Sequence, residues 1–165
     1  MIRPCTNDDF VTISEIINKA ASAYRGVVPA DCLHEPYMTQ AELKDEIEAG
    51  VGFSGWDEDG ALIGVMGLQN VRGVTLIRHA YVRPGHQSKG IGSALLTHLI
   101  EQAKGPLLVG TWAAATWAIR FYERHGFRLV NKEEKNRLLN AYWRIPLRQQ
   151  ETSVVLTYAD SNKAS

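Results

Sequence analysis

The sequence predicts an α+β fold of sandwich-like layers, in which a mixed central sheet of about seven strands is flanked by helices. Two observations predict this fold. Strand-like apolar runs alternate with segments of helical periodicity, and an early hairpin meander is followed by strand–helix–strand units. Hairpins make antiparallel neighbours and crossover helices make parallel ones. We therefore expect a sheet that is antiparallel on its N-terminal side and parallel at its centre.

Length and charge limit the domain count and the classes of partner. The chain has 165 residues and a formal net charge of zero, from 18 basic and 18 acidic residues. We expect one domain over residues 1–165, with a disordered tail at the last few residues, because about 150 residues per domain is usual. The charge balance argues against nucleic acid and anionic membranes as partners. No apolar run approaches the roughly 20 residues of a membrane-spanning helix.

The N-terminus and the cysteines point to a compartment. The opening segment, MIRPCTNDDF, contains acidic residues where a secretion signal needs an apolar core. Cys5 and Cys32 are too few for a disulfide framework, so a cytoplasmic location is expected. Cys32, His34 and Glu35 could be read as a metal cluster. A buried thiol beside polar loop residues is favoured instead, because no second Cys/His pair lies at ligand spacing, and no metal is predicted.

The individual elements follow from local patterns, taken in chain order. A short strand surrounds Ile2, and the N-cap oxygens of residues 6–9 precede an amphipathic helix from Phe10 to Tyr24. The sequence Thr39-Gln40-Ala41-Glu42 is a capping box that opens a second helix ending at Gly50. The other predicted elements are strands at 51–56, 61–68, 74–82, 107–111, 127–130 and 152–158, and helices at 91–103, 113–125 and 132–143.

A glycine-rich segment between a strand and a helix, Val82 to Ser93, carries the most chemical information. Gly90 and Gly92 lack Cβ atoms, so the backbone can turn tightly and approach a ligand closely. The first N–H groups of a helix have no internal partner, and that end of the helix dipole is positive. Together these features predict an anion site that suits a phosphate. The alternative, glycines that serve only the turn, stays open at this point.

Two well-known phosphate motifs do not fit this segment. The P-loop needs Lys and then Ser or Thr after its second glycine, but Gly90 is followed by Ile91. The dinucleotide fingerprint needs a small residue three positions after Gly92, where Leu95 stands, and its sheet does not begin antiparallel.

Two motifs resemble those of a known family. The sequence Gln87-Ser88-Lys89-Gly90-Ile91-Gly92 is similar to the Gln/Arg-x-x-Gly-x-Gly/Ala signature of the GNAT N-acetyltransferases, and it follows a strand that ends in Ala80-Tyr81-Val82. Residues 118–127 resemble the second hallmark of the family, an aromatic-rich helix closed by Gly-Phe. The resemblance is specific over residues 74–130, and it does not identify a subfamily.

The resemblance implies acetyl-CoA as co-substrate and assigns residues to it. Tyr122 matches the family tyrosine that protonates the departing thiolate as a general acid. A packing role in the core is the alternative for this side chain. The implied coenzyme A contacts are Tyr81, Val82, Gln87, Ser88, Lys89, Gly90, Ile91, Gly92 and Ser93.

Two departures from the family pattern concern the acceptor side. Many members have an Asn where this chain has Ala115, and a Glu where it has Leu76. No carboxylate base is therefore carried over from the family, and the nearby candidates are His79, which we take as the base, and, from the loop, His34 and Glu35. Strand alternation predicts Arg78 on one face and His79 with Tyr81 on the other. If Arg78 faces the acceptor, a carboxylate or phosphate on the acceptor is expected.

The resemblance and the residues together lead to two hypotheses of function. The first is an N-acetyltransferase that acts on a primary amine of a small molecule by direct transfer. The second is a catalytically silent acyl-CoA-binding module with a sensing or partner-binding role. A homodimer is compatible with both. The candidate acceptor residues lie on strands and on the polar loop 24–37, and they are Tyr24, His34, Glu35, Arg78 and Trp112.

Overall fold

The computed structural model describes residues 1–159, and the expected tail lies outside this range. Its strands are β1 (Ile2–Pro4), β2 (Gly52–Glu58), β3 (Ala61–Val71), β4 (Val74–Val82), β5 (Leu107–Trp112), β6 (Phe127–Leu129) and β7 (Ser153–Tyr158). Within the described range they form one seven-stranded sheet in the order β1-β2-β3-β4-β5-β7-β6. The predicted mixed sheet of about seven strands with flanking helices is confirmed.

Six α-helices flank this sheet within residues 1–159. They are α1 (Phe10–Ala20), α2 (Gln40–Glu48), α3 (Ile91–Gln102), α4 (Thr116–Arg124), α5 (Lys132–Tyr142) and α6 (Leu147–Glu151). The first predicted helix ends four residues early, because Ala21–Tyr24 form a 3₁₀ turn. Sequence periodicity does not predict α6, because its five residues are too few to show an apolar stripe. None of the helices described is long and apolar enough to cross a bilayer.

Two helix starts are defined by side-chain caps. The Thr39 hydroxyl accepts a hydrogen bond from the backbone N–H of Glu42 at 3.1 Å, and Glu42 accepts in return from Thr39, as the capping box predicts. The Asn131 side chain accepts from the backbone N–H of Glu134 at 2.9 Å at the start of α5. Each cap satisfies a first-turn N–H group that has no partner inside the helix.

Among the described strands, β4 and β5 form the one parallel pair, at the centre of the sheet. They are paired between residues 75–77 and 107–109 and then separate, although β4 continues to Val82 and β5 to Trp112. The last strand, β7, lies between β5 and β6 and is antiparallel to both. The unpaired ends of β4 and β5, called the splay here, leave an open gap in the sheet beyond Ile77 and Val109.

A β-bulge interrupts β4 inside the splay. Val65 pairs with Tyr81 and Gly67 with Arg78, so two residues of β4 oppose one residue of β3. His79 has a φ of 55°, in the left-handed region. The prediction that successive side chains of β4 alternate between the two faces of the sheet is therefore wrong beyond Arg78. Because the bulge adds one residue, Arg78 and His79 reach the same side of the sheet, where both contact Glu46.

The bulge matters because β4 supports a core on both faces of the sheet. Ile77 packs in the cluster of α3 and α4, while Leu76 packs with α5 residues on the opposite face. After the bulge, Ala80 and Val82 rejoin the α3 and α4 cluster, and Tyr81 packs beside the α1 and α2 cluster. The splay thus lies between packed layers on both faces of the sheet.

Candidate active site

The first cleft is a cavity of about 570 Å³ between the second half of β4 and the helices α3 and α4. Ala80 and Val82 of β4 form part of its floor, and Phe121 and Tyr122 of α4 line it. The loop that precedes α3 also lines it. It therefore lies where the sequence predicts the anion site.

The loop before α3 exposes backbone N–H groups to the first cleft. Gly90 is the N-cap of α3, with a φ of 80° and no side chain to cap the helix. The first N–H groups of a helix have no intrahelical partner, and the dipole makes this end positive. A Cβ added at Gly90 would meet no atom within 4 Å, so the loop surface there is open. This geometry fits an anionic phosphate group.

The first cleft contains most of the residues that the resemblance assigns to coenzyme A. Lys89 is the exception, because its exposed side chain does not line this cleft. Gln87 Nε2 donates to the Val82 carbonyl at 3.4 Å, which ties the loop to the end of β4. The assigned residues that line the first cleft are Tyr81, Val82, Gln87, Ser88, Gly90, Ile91, Gly92 and Ser93.

Tyr122 lines the first cleft and is only 5% exposed. Its ring packs edge-on against Phe121 and Phe127, at centroid distances of 5.2 and 5.5 Å. Burial, and to a smaller degree the neighbouring Tyr24, hold the pKa of Tyr122 well above the ordinary value of a phenol. The hydroxyl therefore keeps its proton at neutral pH.

The second cleft is a smaller cavity of about 120 Å³ that borders the splay. Arg78 and His79 of β4 line it together with Gly110 and Thr111 of β5. Its aromatic wall is formed by Tyr24, Tyr37, Trp112 and Trp143. Tyr24 and Tyr81 line both clefts, so the two cavities meet at these side chains.

The phenols at this junction are linked and uncharged. The Tyr24 and Tyr81 hydroxyls are 3.2 Å apart, and Trp112 Nε1 donates to the Tyr37 hydroxyl at 3.0 Å. Burial is the main cause that raises the pKa of Tyr24, Tyr37 and Tyr81 above the ordinary phenol value. Trp117 stacks on Tyr24 from the side of the first cleft.

Glu46 of α2 supplies the carboxylate that the sequence analysis did not find. It accepts from Arg78 Nη2 at 2.5 Å and lies 2.8 Å from His79 Nε2. Arg78 Nη1 also donates to Gln69 at 2.9 Å. Burial alone raises the pKa of Glu46, but the hydrogen bond from His79 and the charges of His79 and Arg78 outweigh it. The net pKa is lowered, so Glu46 is a carboxylate at neutral pH.

The sequence around Glu46 contains a local indication that its side chain faces the sheet. It lies three residues after Leu43, which is fully buried, and next to the partly buried Ile47. A helix that buries Leu43 against the sheet turns position 46 towards the same side. The family position for a carboxylate, Leu76, is instead buried in the core, as is Ala115.

Four of the six candidate residues on the acceptor side line the second cleft: Tyr24, Arg78, His79 and Trp112. His34 and Glu35 line neither cleft, which corrects their expected place. The Glu35 carboxylate pairs with Arg25, both side chains being more than 60% exposed. His34 Nδ1 is 2.8 Å from the Pro36 carbonyl. The loop 24–37 contributes Tyr24 and Tyr37 to the second cleft, whereas the side chains of His34 and Glu35 are exposed to solvent.

Within residues 1–159, no group of three or more His, Cys, Asp and Glu side chains is arranged to hold a metal ion. Cys5 packs beside the α1 and α2 cluster, where burial raises the pKa of its thiol to about 11. Neither cysteine lines either cleft.

The model of the acetyltransferase (GNAT) family matches residues 13–127. The chain belongs to the acetyltransferase (GNAT) family. The resemblance found in the two motifs is thereby confirmed. No curated protein matches the sequence closely enough to count as a relative.

Solved structures show the same fold at low sequence identity. PaiA N-acetyltransferase from Thermoplasma acidophilum, in complex with coenzyme A, is 18% identical with a TM-score of 0.73, covering 97% of this chain and 98% of that one. Ribosomal-protein-S18-alanine N-acetyltransferase from Escherichia coli is 17% identical with a TM-score of 0.70, covering 98% and 97%. N-acetylglutamate synthase from Neisseria gonorrhoeae, with coenzyme A and N-acetyl-glutamate, is 21% identical with a TM-score of 0.64; the match covers 95% of this chain and 34% of that one.

Proposed function

We propose that this GNAT family member transfers the acetyl group of acetyl-CoA to a primary amine of a small molecule by direct transfer. One observation carries the proposal. Two clefts meet at Tyr24 and Tyr81, one with an anion-binding loop and the other with a histidine held by a carboxylate. Direct transfer requires such a junction, because the amine and the thioester must be in contact.

The first cleft has the features that coenzyme A requires. The N–H groups at the start of α3 suit a pyrophosphate, and the open position of Gly90 and the missing side chain of Gly92 let it approach the backbone. Beyond Ile77, the edge of β4 towards β5 has no partner strand, which leaves backbone groups for the amide-containing arm of the cofactor. The relatives crystallised with coenzyme A support this assignment.

We assign His79 as the base that accepts the amine proton. In neutral imidazole one nitrogen donates and the other accepts. When Nε2–H donates to Glu46, the lone pair is on Nδ1, and His79 lines the second cleft. Glu46 then acts as a positioning residue, because it selects the tautomer and holds the ring.

We assign Tyr122 as the acid for the departing sulfur. The amine nitrogen forms a bond to the acetyl carbon, and the carbon–sulfur bond breaks. The amine proton passes to His79, and the phenol proton of Tyr122 passes to sulfur. The products are the N-acetyl amine and the coenzyme A thiol. The cysteines lie outside both clefts, which supports direct transfer without an acetyl-enzyme.

A thiol-release assay tests this function. The protein is incubated with acetyl-CoA and a panel of small primary amines, and free thiol is followed with a chromogenic disulfide. Acceptor-dependent thiol release is expected, with initial-rate lines that intersect when both substrates are varied. Saturable acetyl-CoA binding without thiol release for any amine would contradict the proposal and favour the silent binding module. Parallel initial-rate lines would contradict direct transfer.

Three expectations from the sequence stay predictions. They are a single domain over residues 1–165, a cytoplasmic location, and a homodimer as one compatible oligomeric state. Sedimentation equilibrium would decide the oligomeric state.

A further inference from the structure

The second cleft has an electrostatic property that bears on the acceptor. Within the described residues, the charged or titratable side chains other than phenols that line it are Arg78 and His79. Both contact the same carboxylate, that of Glu46. The positive charge of Arg78 is therefore matched before any acceptor enters. Among residues 1–159, no Asp, Glu or Lys lines this cleft.

This neutralised cluster reverses the expectation attached to Arg78. Arg78 does line the cleft, but its guanidinium donates to Glu46 and Gln69. An acceptor carboxylate placed there would lie close to the Glu46 carboxylate, and like charges at such distances repel. A second ammonium group on the acceptor would find no carboxylate among the lining residues. The cleft thus offers no unmatched charge of either sign.

The rest of the second cleft is uncharged and contains both ring faces and neutral polar groups. Tyr24, Tyr37, Trp112 and Trp143 line it together with the aliphatic side chains of Ile77, Leu139 and Ile145, and its neutral polar side chains are Thr111, Gln149 and Ser153. A Cβ added at Gly110 would lie 3.3 Å from Trp143 Cζ2, so the missing side chain lets the indole lie against β5. Such walls attract a single ammonium through their ring faces and bury apolar groups well.

The size of the cleft narrows the acceptor further. Its volume of about 120 Å³ is well below the roughly 300–1,000 Å³ of sites for drug-sized ligands. It has room for one ring or one short alkyl chain beside the reacting nitrogen.

We infer that the acceptor is a small primary amine whose remaining part carries no charge. This inference rests on the proposed function and deepens it. It separates this chain from enzymes that would recognise an amino acid through its carboxylate, a polyamine through a second ammonium, or a long peptide segment.

Two sets of matched amines test the inference by acetyl-CoA-dependent thiol release. The first set is phenethylamine, phenylalaninamide and phenylalanine, where only phenylalanine carries a carboxylate. The second is butylamine and 1,4-diaminobutane, which differ by one ammonium. We expect kcat/KM to be at least about tenfold higher for phenethylamine and phenylalaninamide than for phenylalanine, and for butylamine than for 1,4-diaminobutane. Phenylalaninamide should be accepted over phenylalanine, because the charge rather than the size is rejected.

A charge variant tests the stated cause. Glu46→Gln releases Arg78 from its carboxylate, so the preference for phenethylamine over phenylalanine should fall by about tenfold or more. The ratio of two kcat/KM values cancels any loss common to both acceptors, including a loss through His79. Glu48→Gln is the matched control, since Glu48 lies on the same helix, lines neither cleft and should leave the ratio unchanged.

The outcomes distinguish a failure of the inferred acceptor class from a failure of the proposed acetyltransferase function. Turnover with phenylalanine or 1,4-diaminobutane preferred would overturn the inference and leave the acetyltransferase function standing. Turnover of an alanine-initiated peptide well above every small amine would also overturn it. An unchanged ratio in Glu46→Gln would show that the matched charge of Arg78 is not the cause. Thiol release with none of the amines would overturn both levels.

Discussion

Charge is arranged differently in the two clefts that meet at Tyr24 and Tyr81. The first cleft leaves the backbone N–H groups at the start of α3 unmatched, so its positive potential is available to a ligand. The second cleft contains a cation, Arg78, but Glu46 neutralises it internally. The comparison shows that a charged residue in a cleft does not by itself predict a charged ligand. What counts is whether the protein has already matched that charge.

The largest expected effect concerns the acid at the wall of the first cleft. Tyr122→Phe keeps the ring packing and removes only the hydroxyl, so fold and acetyl-CoA affinity should be retained. General acid catalysis is typically worth about 10²–10⁴-fold, so kcat at saturating substrates should fall by about 100-fold. Tyr142→Phe is the matched control, since its ring contacts Arg72 outside both clefts. An unchanged kcat would make Tyr122 a packing residue.

A second effect concerns the backbone site of the first cleft. A Cβ at Gly92 would touch Phe121 at 3.5 Å, an ordinary contact, so a larger side chain there disturbs the ligand more than the fold. Gly92→Val should weaken acetyl-CoA binding by about 30-fold, roughly 2 kcal/mol, measured by calorimetry. Gly52→Val is the control, because a Cβ at Gly52 meets nothing within 4 Å and lies outside both clefts. Equal acetyl-CoA affinities in the two folded variants would show that the backbone near Gly92 does not bind the cofactor.

The base of the second cleft should show a smaller effect that depends on pH. His79→Asn suits the left-handed backbone, which Asn tolerates, and it removes the imidazole. We expect kcat/KM for the amine to fall about tenfold near neutral pH, because some amine still loses its proton to water. The deficit should shrink as pH rises and more amine is neutral. A deficit that is constant with pH would indicate a structural role for His79.

The smallest effect is on stability and concerns the internal charge match itself. Because its pKa is lowered in the folded state, Glu46 stabilises the fold above its unfolded pKa of about 4.3 and loses this contribution as pH falls below it. Glu46→Gln should lower the free energy of unfolding by about 1 kcal/mol at pH 7, since charged hydrogen bonds become neutral. Urea unfolding from pH 7 to pH 3.5 should show this difference shrinking. Glu48→Gln should change little, and a difference independent of pH would contradict the role of the charge.

The two clefts also differ in how far the sequence predicts them. The first cleft depends on one continuous segment around Gly90 and Gly92, where backbone geometry demands particular residues at fixed spacing. One sequence is enough to recognise this requirement, and it also predicts the capping box at Thr39 and the full extent of β4. The element order and the mixed sheet followed from the same local rules.

The second cleft depends on side chains from segments far apart in the chain. Glu46 is on α2, Arg78 on β4, Trp112 on β5 and Trp143 just after α5. No local pattern brings these together, so the carboxylate partner of Arg78 and His79 was missed. The bulge escaped prediction for a related reason. It depends on how β4 pairs with β3, and strand alternation within β4 alone gives no sign of an extra residue.

The bulge at His79 has a consequence for how this protein tolerates insertions and deletions. Loss of one residue at this point would restore regular alternation in β4. Ala80, Tyr81 and Val82 would keep their present faces and their register with β3, so both clefts would keep these lining residues. Deletion of His79 would therefore remove the candidate base and its contact with Glu46 while leaving the cofactor side in place. Along an evolutionary lineage, the acceptor side is free to change at this position by substitution or by loss of the residue, without a shift in the rest of the strand.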